Sequence, residues 1–394
     1  MTNPDDIQKI SDLVTKVAQI GANNPLKPPI DNIKAFEDFF SDGKLDIENL
    51  DVMDGCCTRR EILARFLLLC AVLDQGPDIS GIRDLLSRVT NELYEKNIRI
   101  FHAPLDFFKE MQISIDQILK NHETIKTERA KDWADKNETT EGKYNLFMDG
   151  GKQSLSYAIF RWGVPLALPY VLGRKSGAKA SPTTLLDYLE TWESAEKMSQ
   201  EIKDHNIYGL GKAIGDKACH LYAKWIVSSF SLSRHKCDAW GKYSFEVPYD
   251  SNAGRVLWRT GYLLRLANED EYKSKQVVNH NKGKHDKHYI RVTNIRGMKI
   301  SCDLHSDIQD DYRDLCVNHL KTHKRGPKTI EIQRLQHVFL MNSEYGVAEF
   351  DDGLIHVGRE YCHNHKNPDC KNCPLKNICE GFNKKPELIE DYRT

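Results

Sequence analysis

The sequence predicts a mainly α-helical protein with two lobes and a small β insertion. The chain has 394 residues, of which 40% are hydrophobic, enough for a sizeable core. Apolar residues recur at helical spacing in several segments. In addition, four of the eleven cysteines fall within the 18 residues 362–379, which marks a compact metal-stapled segment near the carboxy end.

Composition narrows the class of protein. The apolar run Phe66–Leu73 has eight residues, far fewer than the roughly 18 that a membrane span needs. The amino end lacks the basic and apolar regions of a secretory signal. We therefore expect no membrane partner and no secretion, but a cytoplasmic, nucleoid-associated or nuclear protein. The net charge of −1 does not by itself indicate a nucleic-acid binder.

The first helical pair is predicted over residues 61–94. The apolar stretch from Glu61 predicts a buried helix, Gly76 and Pro77 predict a short loop, and a second helix follows. Gln75 stands at the end of the first helix. A glutamine at the end of a helix is either a solvent-exposed cap of that helix or a residue whose side chain enters a bound ligand.

A helical hairpin is predicted at residues 205–230. Gly211 and Gly215 supply the backbone freedom of a tight turn. A helix follows, with a buried stripe at helical spacing made of Ala218, Leu221, Tyr222, Trp225 and Ile226. Lys217 falls in its first turn. The dipole there, together with burial, would lower the pKa of a lysine and make it a nucleophile.

Residues 245–264 are predicted to hold a short extended segment followed by another helix. Pro248 delays the next helix, and Asp250 is placed to cap its amino end. The positions predicted to face inward are Val256, Leu257, Thr260, Leu263 and Leu264. Read alone, Asp250 is a helix cap.

The segment 265–330 is predicted to be a basic insertion. Residues 271–299 hold eight Lys or Arg against two acidic residues. The alternation in residues 288–295 predicts a strand, and Lys282 and Lys284 lie in a predicted hairpin turn. Such a stretch is either a solvated loop or a face that binds phosphates.

The cysteines Cys362, Cys370, Cys373 and Cys379 have the spacing Cys-x7-Cys-x2-Cys-x5-Cys. Zinc modules usually space their ligands as two pairs separated by a long loop, whereas one compact loop of four thiolates suits a [4Fe-4S] cluster. His363 and His365 lie between the ligands. Zinc and a metal-free loop remain the alternatives.

Three segments together resemble the helix-hairpin-helix DNA glycosylases (the HhH-GPD superfamily), the endonuclease III-like members in particular. These segments are the cysteine loop, the Gly-x-Lys hairpin at Gly215, and Val-Pro-x-Asp ending at Asp250 and followed by Arg255-Val256. Two departures stand out: Ala213 replaces a glycine of the hairpin, and the first cysteine spacer has seven residues where the family usually has six.

The resemblance implies a two-lobed helical fold with a cleft between the lobes. A helical bundle would run over residues 61–264 and contain the hairpin. Residues 1–60 would pack with a cluster lobe formed by residues 331–394. In the order of the chain, the insertion 265–330 comes between the bundle and that lobe.

The resemblance also implies base excision by a monomeric enzyme acting on double-stranded DNA that contains a damaged or modified base. Lys217 would attack the sugar and form a Schiff base that permits β-elimination, and Asp250 would assist it. The residues expected to contact DNA are Gln75, Gly211, Gly215, Asp216, Arg255, Lys282 and Lys284. The identity of the base is not indicated.

Two other classes of protein stay open. One is a non-catalytic or water-using DNA-binding repair protein, against which the lysine and aspartate argue. The other is a metal-dependent DNA endonuclease, which the helical pattern disfavours.

Overall fold

The computed structural model describes residues 4–74, 79–110, 114–124, 163–175, 184–248, 251–262, 278–280, 290–292, 339–340, 343–363, 367–386 and 389. This part of the chain is mostly helical, with a few short strands. The predicted mainly α class is therefore confirmed. No helix in these ranges combines the length and apolar character that a membrane span needs.

The helices are numbered in chain order. They are α1 (Pro4–Asn23), α2 (Arg59–Leu73), α3 (Ile79–Glu95), α4 (Pro104–Glu110), α5 (Ile115–Thr124), α6 (Val164–Lys175), α7 (Leu185–Leu189), α8 (Ala195–Asp204), α9 (Asp216–Lys224), α10 (Ser251–Arg259), α11 (Val347–Glu360) and α12 (Glu380–Asn383). Single 3-10 turns occur at Lys34–Phe39, Glu48–Asp51, Gly211–Ala213 and Asp238–Trp240, and a π-helical turn, Trp225–Ser229, extends α9.

The strands form three antiparallel pairs. They are β1 (Phe40–Ser41) with β2 (Lys44–Leu45), β3 (Met53–Asp54) with β4 (Cys57–Thr58), and β5 (Val278–His280) with β6 (Ile290–Val292). The last pair, with Asn279 opposite Arg291, lies in the segment for which a small β insertion is predicted. The predicted turn between these two strands lies outside the described residues.

The chain forms two compact units. The terminal unit comprises residues 1–26 and 242–394, and the central unit comprises residues 27–241. These boundaries differ from the predicted ones: residues 27–60 belong to the central unit, and residues 242–264 belong to the terminal unit.

Aromatic packing explains why residues 27–60 join the central unit. Phe36 and Phe39 are buried. The Phe36 ring lies 5.0 Å from Phe66 of α2 and 6.1 Å from Phe101, centroid to centroid. The contact with Phe66 is edge-to-face, and such a contact adds stability beyond the area that it buries. The sequence gives no local sign of this long-range partnership.

Helix α2 is the centre of the central unit. Thr58 caps its amino end by accepting a hydrogen bond from the Glu61 amide at 3.2 Å. The buried Glu61 carboxylate in turn accepts the amides of Leu185 and Leu186 at the start of α7, at 2.8 and 2.9 Å. Arg65 pairs with it at 2.7 Å, so this buried charge is both neutralised and hydrogen-bonded.

The helices predicted over 61–94 are confirmed as α2 and α3. The predicted buried stripe of α9 and the turn after it is also confirmed, because all five of its residues are buried. In α10, the three described positions predicted to face inward, Val256, Leu257 and Thr260, are buried as well.

The terminal unit is organised around the contact between α1 and α11. A Cβ added at Gly21 would lie 1.8 Å from the Glu349 carbonyl oxygen, and one added at Gly353 would lie 1.9 Å from the Val17 carbonyl oxygen. The two helix backbones therefore touch directly, which only glycine permits. The start of the chain therefore lies, through α1, beside the helix that leads into the cysteine loop.

Candidate functional site

The four predicted ligand cysteines lie together. Cys362, Cys370, Cys373 and Cys379 all line one recess of about 380 Å³, measured out to its open mouth, between the end of α11, α10 and α12. Each of the four is partly exposed. The structure therefore brings together the whole predicted ligand set within the terminal unit.

The pKa shifts of these thiols confirm how close they are. Burial, followed by the charge of neighbouring thiolates, raises the pKa of Cys373 to about 11 and that of Cys379 to about 12. Cys362 and Cys370 are among the groups that raise the pKa of Cys379. The pKa values of Cys370, Cys373 and Cys379 are all raised, so a cation bound among these thiols would favour their thiolate forms.

Helix α10 holds the cysteine loop. Arg259, with only 1% of its surface exposed, donates from Nη1 to the His363 carbonyl at 2.8 Å and to the Cys362 sulfur at 3.5 Å. The Cys379 thiol donates to the Arg259 carbonyl at 3.4 Å, and the Glu380 amide donates to the carbonyl of Thr260 at 3.1 Å. The first and last cysteines are thus both anchored at the end of α10.

Arg255 has a role that was not predicted. Its guanidinium donates to the Cys362 carbonyl, to the Gly358 carbonyl at 2.8 Å and to Asn252 at 2.7 Å. Only 4% of its surface is exposed. The guanidinium therefore holds the loop of the first cysteine, while the predicted contact of Arg255 with DNA stays a prediction.

The predicted hairpin is formed by α8 and α9. Its first helix lies before residue 205, and the turn runs from His205 to Gly215. Gly211 has φ +53°, the left-handed conformation that glycine adopts most easily. Gly215 instead has φ −85° and ψ 163°, which any residue adopts. The backbone freedom predicted for the turn is therefore used at Gly211 and not at Gly215.

His205 shapes this turn. Its Nδ1 accepts the backbone amides of Ile207 at 3.2 Å and of Tyr208 at 3.0 Å. Its ring also stacks on that of Tyr208, with 4.9 Å between centroids. Because Nδ1 accepts two hydrogen bonds, the neutral form of the ring supports the observed turn.

Lys217 stands in the first turn of α9, as predicted, and is half-buried. The residue before the helix is Gly215, and no side-chain hydrogen bond caps the helix start. Asp216 is the first residue of the helix. The amides of such a turn attract anions, and phosphate oxygens are among the groups that they bind.

Several predicted site residues, namely Gln75, Asp250, Lys282 and Lys284, lie outside the described residues. For Gln75, the flanking helices are described. Asp74 at the end of α2 is buried and pairs with Arg83 of α3 at 3.3 Å, which joins the two sides of the loop that contains Gln75.

Sequence reasoning missed Arg259. A signal was present, because Arg255 and Arg259 are four residues apart and so lie on one face of a helix. Two arginines on the face that also carries the inward apolar residues would indicate a buried anionic partner.

Comparison of the chain with models of known protein families, with curated proteins and with solved structures found no match.

Proposed function

We propose that this protein is a DNA glycosylase with an associated abasic-site lyase activity, built on the two-lobed helix-hairpin-helix fold. The observation that carries the proposal is the attachment of the cysteine loop to α10. This helix begins directly after the Val-Pro-x-Asp segment and binds the loop of the first cysteine through two buried arginines. The Val-Pro-x-Asp segment and the cysteine loop are more than 100 residues apart in the chain, yet the helix after the first binds the second, so the two motifs form one structural element.

The hairpin supports the same proposal from the central unit. It presents a left-handed glycine, a helix start without a side-chain cap, and a half-buried lysine in the first helical turn. A helix start of this kind suits a DNA phosphate, and phosphate contacts set the position of the protein on the duplex. Recognition of the base itself requires that the nucleotide be flipped out of the stack.

In the proposed mechanism, Lys217 is the nucleophile. Its neutral amine forms a bond to the anomeric carbon of the flipped nucleotide while the bond from that carbon to the base breaks. The base leaves with the bonding electron pair and takes up a proton. Opening of the sugar ring gives an iminium between Lys217 and the sugar, which makes the neighbouring carbon acidic enough to lose a proton. The phosphate on the 3′ side then leaves by β-elimination.

Asp250 has two roles in this proposal. Its carboxylate accepts a proton from the lysine amine, and its negative charge stabilises the positive charge that grows on the sugar as the base departs. A lysine without such a partner remains protonated near neutral pH and is a poor nucleophile.

The donor set supports a [4Fe-4S] cluster held by Cys362, Cys370, Cys373 and Cys379. The sulfurs of a cubane bind four different iron atoms, and one compact loop of four thiolates suits such a cluster better than it suits zinc, whose ligands usually come as two separated pairs. Bound there, the group would supply folding energy to the terminal unit.

Strand cleavage at an abasic site tests the proposal without knowledge of the base. Purified protein, incubated with an abasic duplex in the presence of EDTA, should cleave the strand and leave the product of β-elimination, because Schiff-base chemistry needs no divalent ion. Cleavage that occurs only with added Mg²⁺ would indicate a metal-dependent endonuclease instead.

The matched variants are Lys217→Ala and Lys212→Ala. Lys212 lies in the same turn and is exposed. Loss of cleavage in the first variant and its retention in the second would support the proposal. Equal cleavage in the two would contradict it. A panel of duplexes with modified bases, analysed by mass spectrometry of the released bases, would then identify the substrate.

A further inference from the structure

A second group of thiols lies in the central unit, away from the cysteine loop. Cys56 and Cys57 are adjacent in the tight hairpin formed by β3 and β4, whose register pairs Asp54 with Cys57. Gly55, with φ +73°, begins the two-residue turn. As a residue Cys56 is exposed, whereas Cys57 is buried.

Both thiols point at the same backbone oxygen. The Cys56 sulfur lies 3.1 Å and the Cys57 sulfur 3.9 Å from the carbonyl oxygen of His102. The two thiols also lie close enough for each to affect the ionisation of the other. Adjacent residues of a strand normally place their side chains on opposite faces, so the turn is what brings these two sulfurs to one side.

The surroundings of the pair are polar and partly cationic. Arg65 donates to the same His102 carbonyl at 3.4 Å and to the Phe101 carbonyl at 3.0 Å. The His102 ring binds Asp54 at 3.1 Å through Nε2. The guanidinium favours negative charge on Cys57, although burial has the larger, opposite effect and raises the pKa of that thiol to about 12.

Disulfide formation is a poor use for this pair. The Cα atoms of adjacent residues are about 3.8 Å apart, which is less than the 4.4–6.8 Å or so that an unstrained disulfide spans. Zinc is also a poor fit, because it takes four ligands, and among the described residues no third His, Cys, Asp or Glu joins the pair within reach of a single ion.

We propose that Cys56 and Cys57 form a two-thiolate site for a soft monovalent cation of the copper(I) class. Thiolates select such cations over harder ones, and a cation that accepts two ligands needs no third. Binding replaces the two S–H protons, which pass to solvent, and no electron is transferred. The complex carries one net negative charge, and Arg65, which also pairs with Glu61, offsets part of it.

Binding would also change the loop that contains His102. In the free protein the His102 carbonyl accepts from two thiols and from Arg65. When both thiols become ligands, they no longer donate to the His102 carbonyl, and of these three donors only the Arg65 guanidinium remains. The site therefore links the presence of the cation to the hydrogen bonding of the segment between α3 and α4.

Competition with a chromophoric copper(I) chelator under anaerobic conditions tests the site. The full-length protein is titrated with the copper(I) complex of bicinchoninate, and the visible absorbance of its iron–sulfur cluster is followed in the same samples. The wild type should withdraw one more equivalent of copper(I) than the Cys56→Ser/Cys57→Ser double variant does. X-ray absorption of that equivalent should show two sulfur neighbours.

Two single variants complete the test. Cys56→Ser changes an exposed turn residue, so its fold should be intact, and it should lose the extra equivalent. Cys237→Ser removes another exposed, unpaired thiol and should keep it. Equal copper(I) uptake by wild type and double variant would overturn the proposal, as would loss of the equivalent in Cys237→Ser. Neither result would bear on the glycosylase proposal.

Discussion

The substitution Arg259→Met tests whether α10 anchors the cysteine loop. Methionine keeps the apolar length of the side chain but removes all of its donors. The lost hydrogen bonds are those to the His363 carbonyl at 2.8 Å and to the Cys362 sulfur at 3.5 Å. Hydrogen bonds from a charged group contribute about 1.5–3 kcal/mol each. Their loss, with the carbonyl left buried, should therefore cost about 3–5 kcal/mol.

This energy should appear as faster loss of the proposed [4Fe-4S] cluster. If iron becomes accessible to a chelator when the loop opens, a loop weakened by about 3–5 kcal/mol opens roughly 10²- to 10⁴-fold more often. The assay is the decay of the cluster's visible absorbance in excess chelator, for wild type and Arg259→Met.

The matched control is Lys371→Met, which removes the same charge from an exposed position of the loop. It should change the decay rate little, since exposed charges contribute little. If Arg259→Met released iron no faster than this control, the proposed anchoring by α10 would be wrong.

Three further predictions concern packing and protonation. Gly353→Ala places a methyl carbon 1.9 Å from the Val17 carbonyl oxygen. The free energy of unfolding, measured in urea, should therefore fall by about 3 kcal/mol or more. An unchanged free energy would refute the close contact between α1 and α11. His205→Leu removes the acceptor of two backbone amides, so the free energy of unfolding in urea should fall by about 1–3 kcal/mol. His205→Asn, which keeps an acceptor, should lose less, and equal losses in the two variants would contradict this role. Burial alone would raise the pKa of Asp187, but its hydrogen bonds, one of them from Arg234, lower it. The ionised Asp187 therefore stabilises the fold above the usual aspartate pKa of about 4, and this stabilisation is lost as pH falls through the lower pKa of the folded state. Acid unfolding of Asp187→Asn should lack this loss of stability.

Local signals predicted the helices well. The stripe of α9 and the pair α2–α3 follow from periodicity alone, because helix faces repeat at a spacing that the sequence displays directly. Gly211 was predicted for the same kind of reason, since a turn between packed helices favours a residue that adopts positive φ.

Long-range packing was not predictable in the same way. The amphipathic pattern of α10 marks its inward face but does not say what lies there, so the contact of Arg255 with the cysteine loop was not predicted. Phe36 carries no local sign that its partners are Phe66 and Phe101, 30 and 65 residues away in the chain. Such partners depend on the whole fold, and a single sequence does not display them.

Covalent trapping at Lys217 tests the central claim most directly. The protein is incubated with an abasic duplex and borohydride in the presence of EDTA, and the trapped complex is digested and mapped by mass spectrometry. The account predicts an adduct on Lys217 that is absent from Lys217→Ala and undiminished in Lys212→Ala. No adduct in the wild type, or an adduct on another lysine, would contradict it.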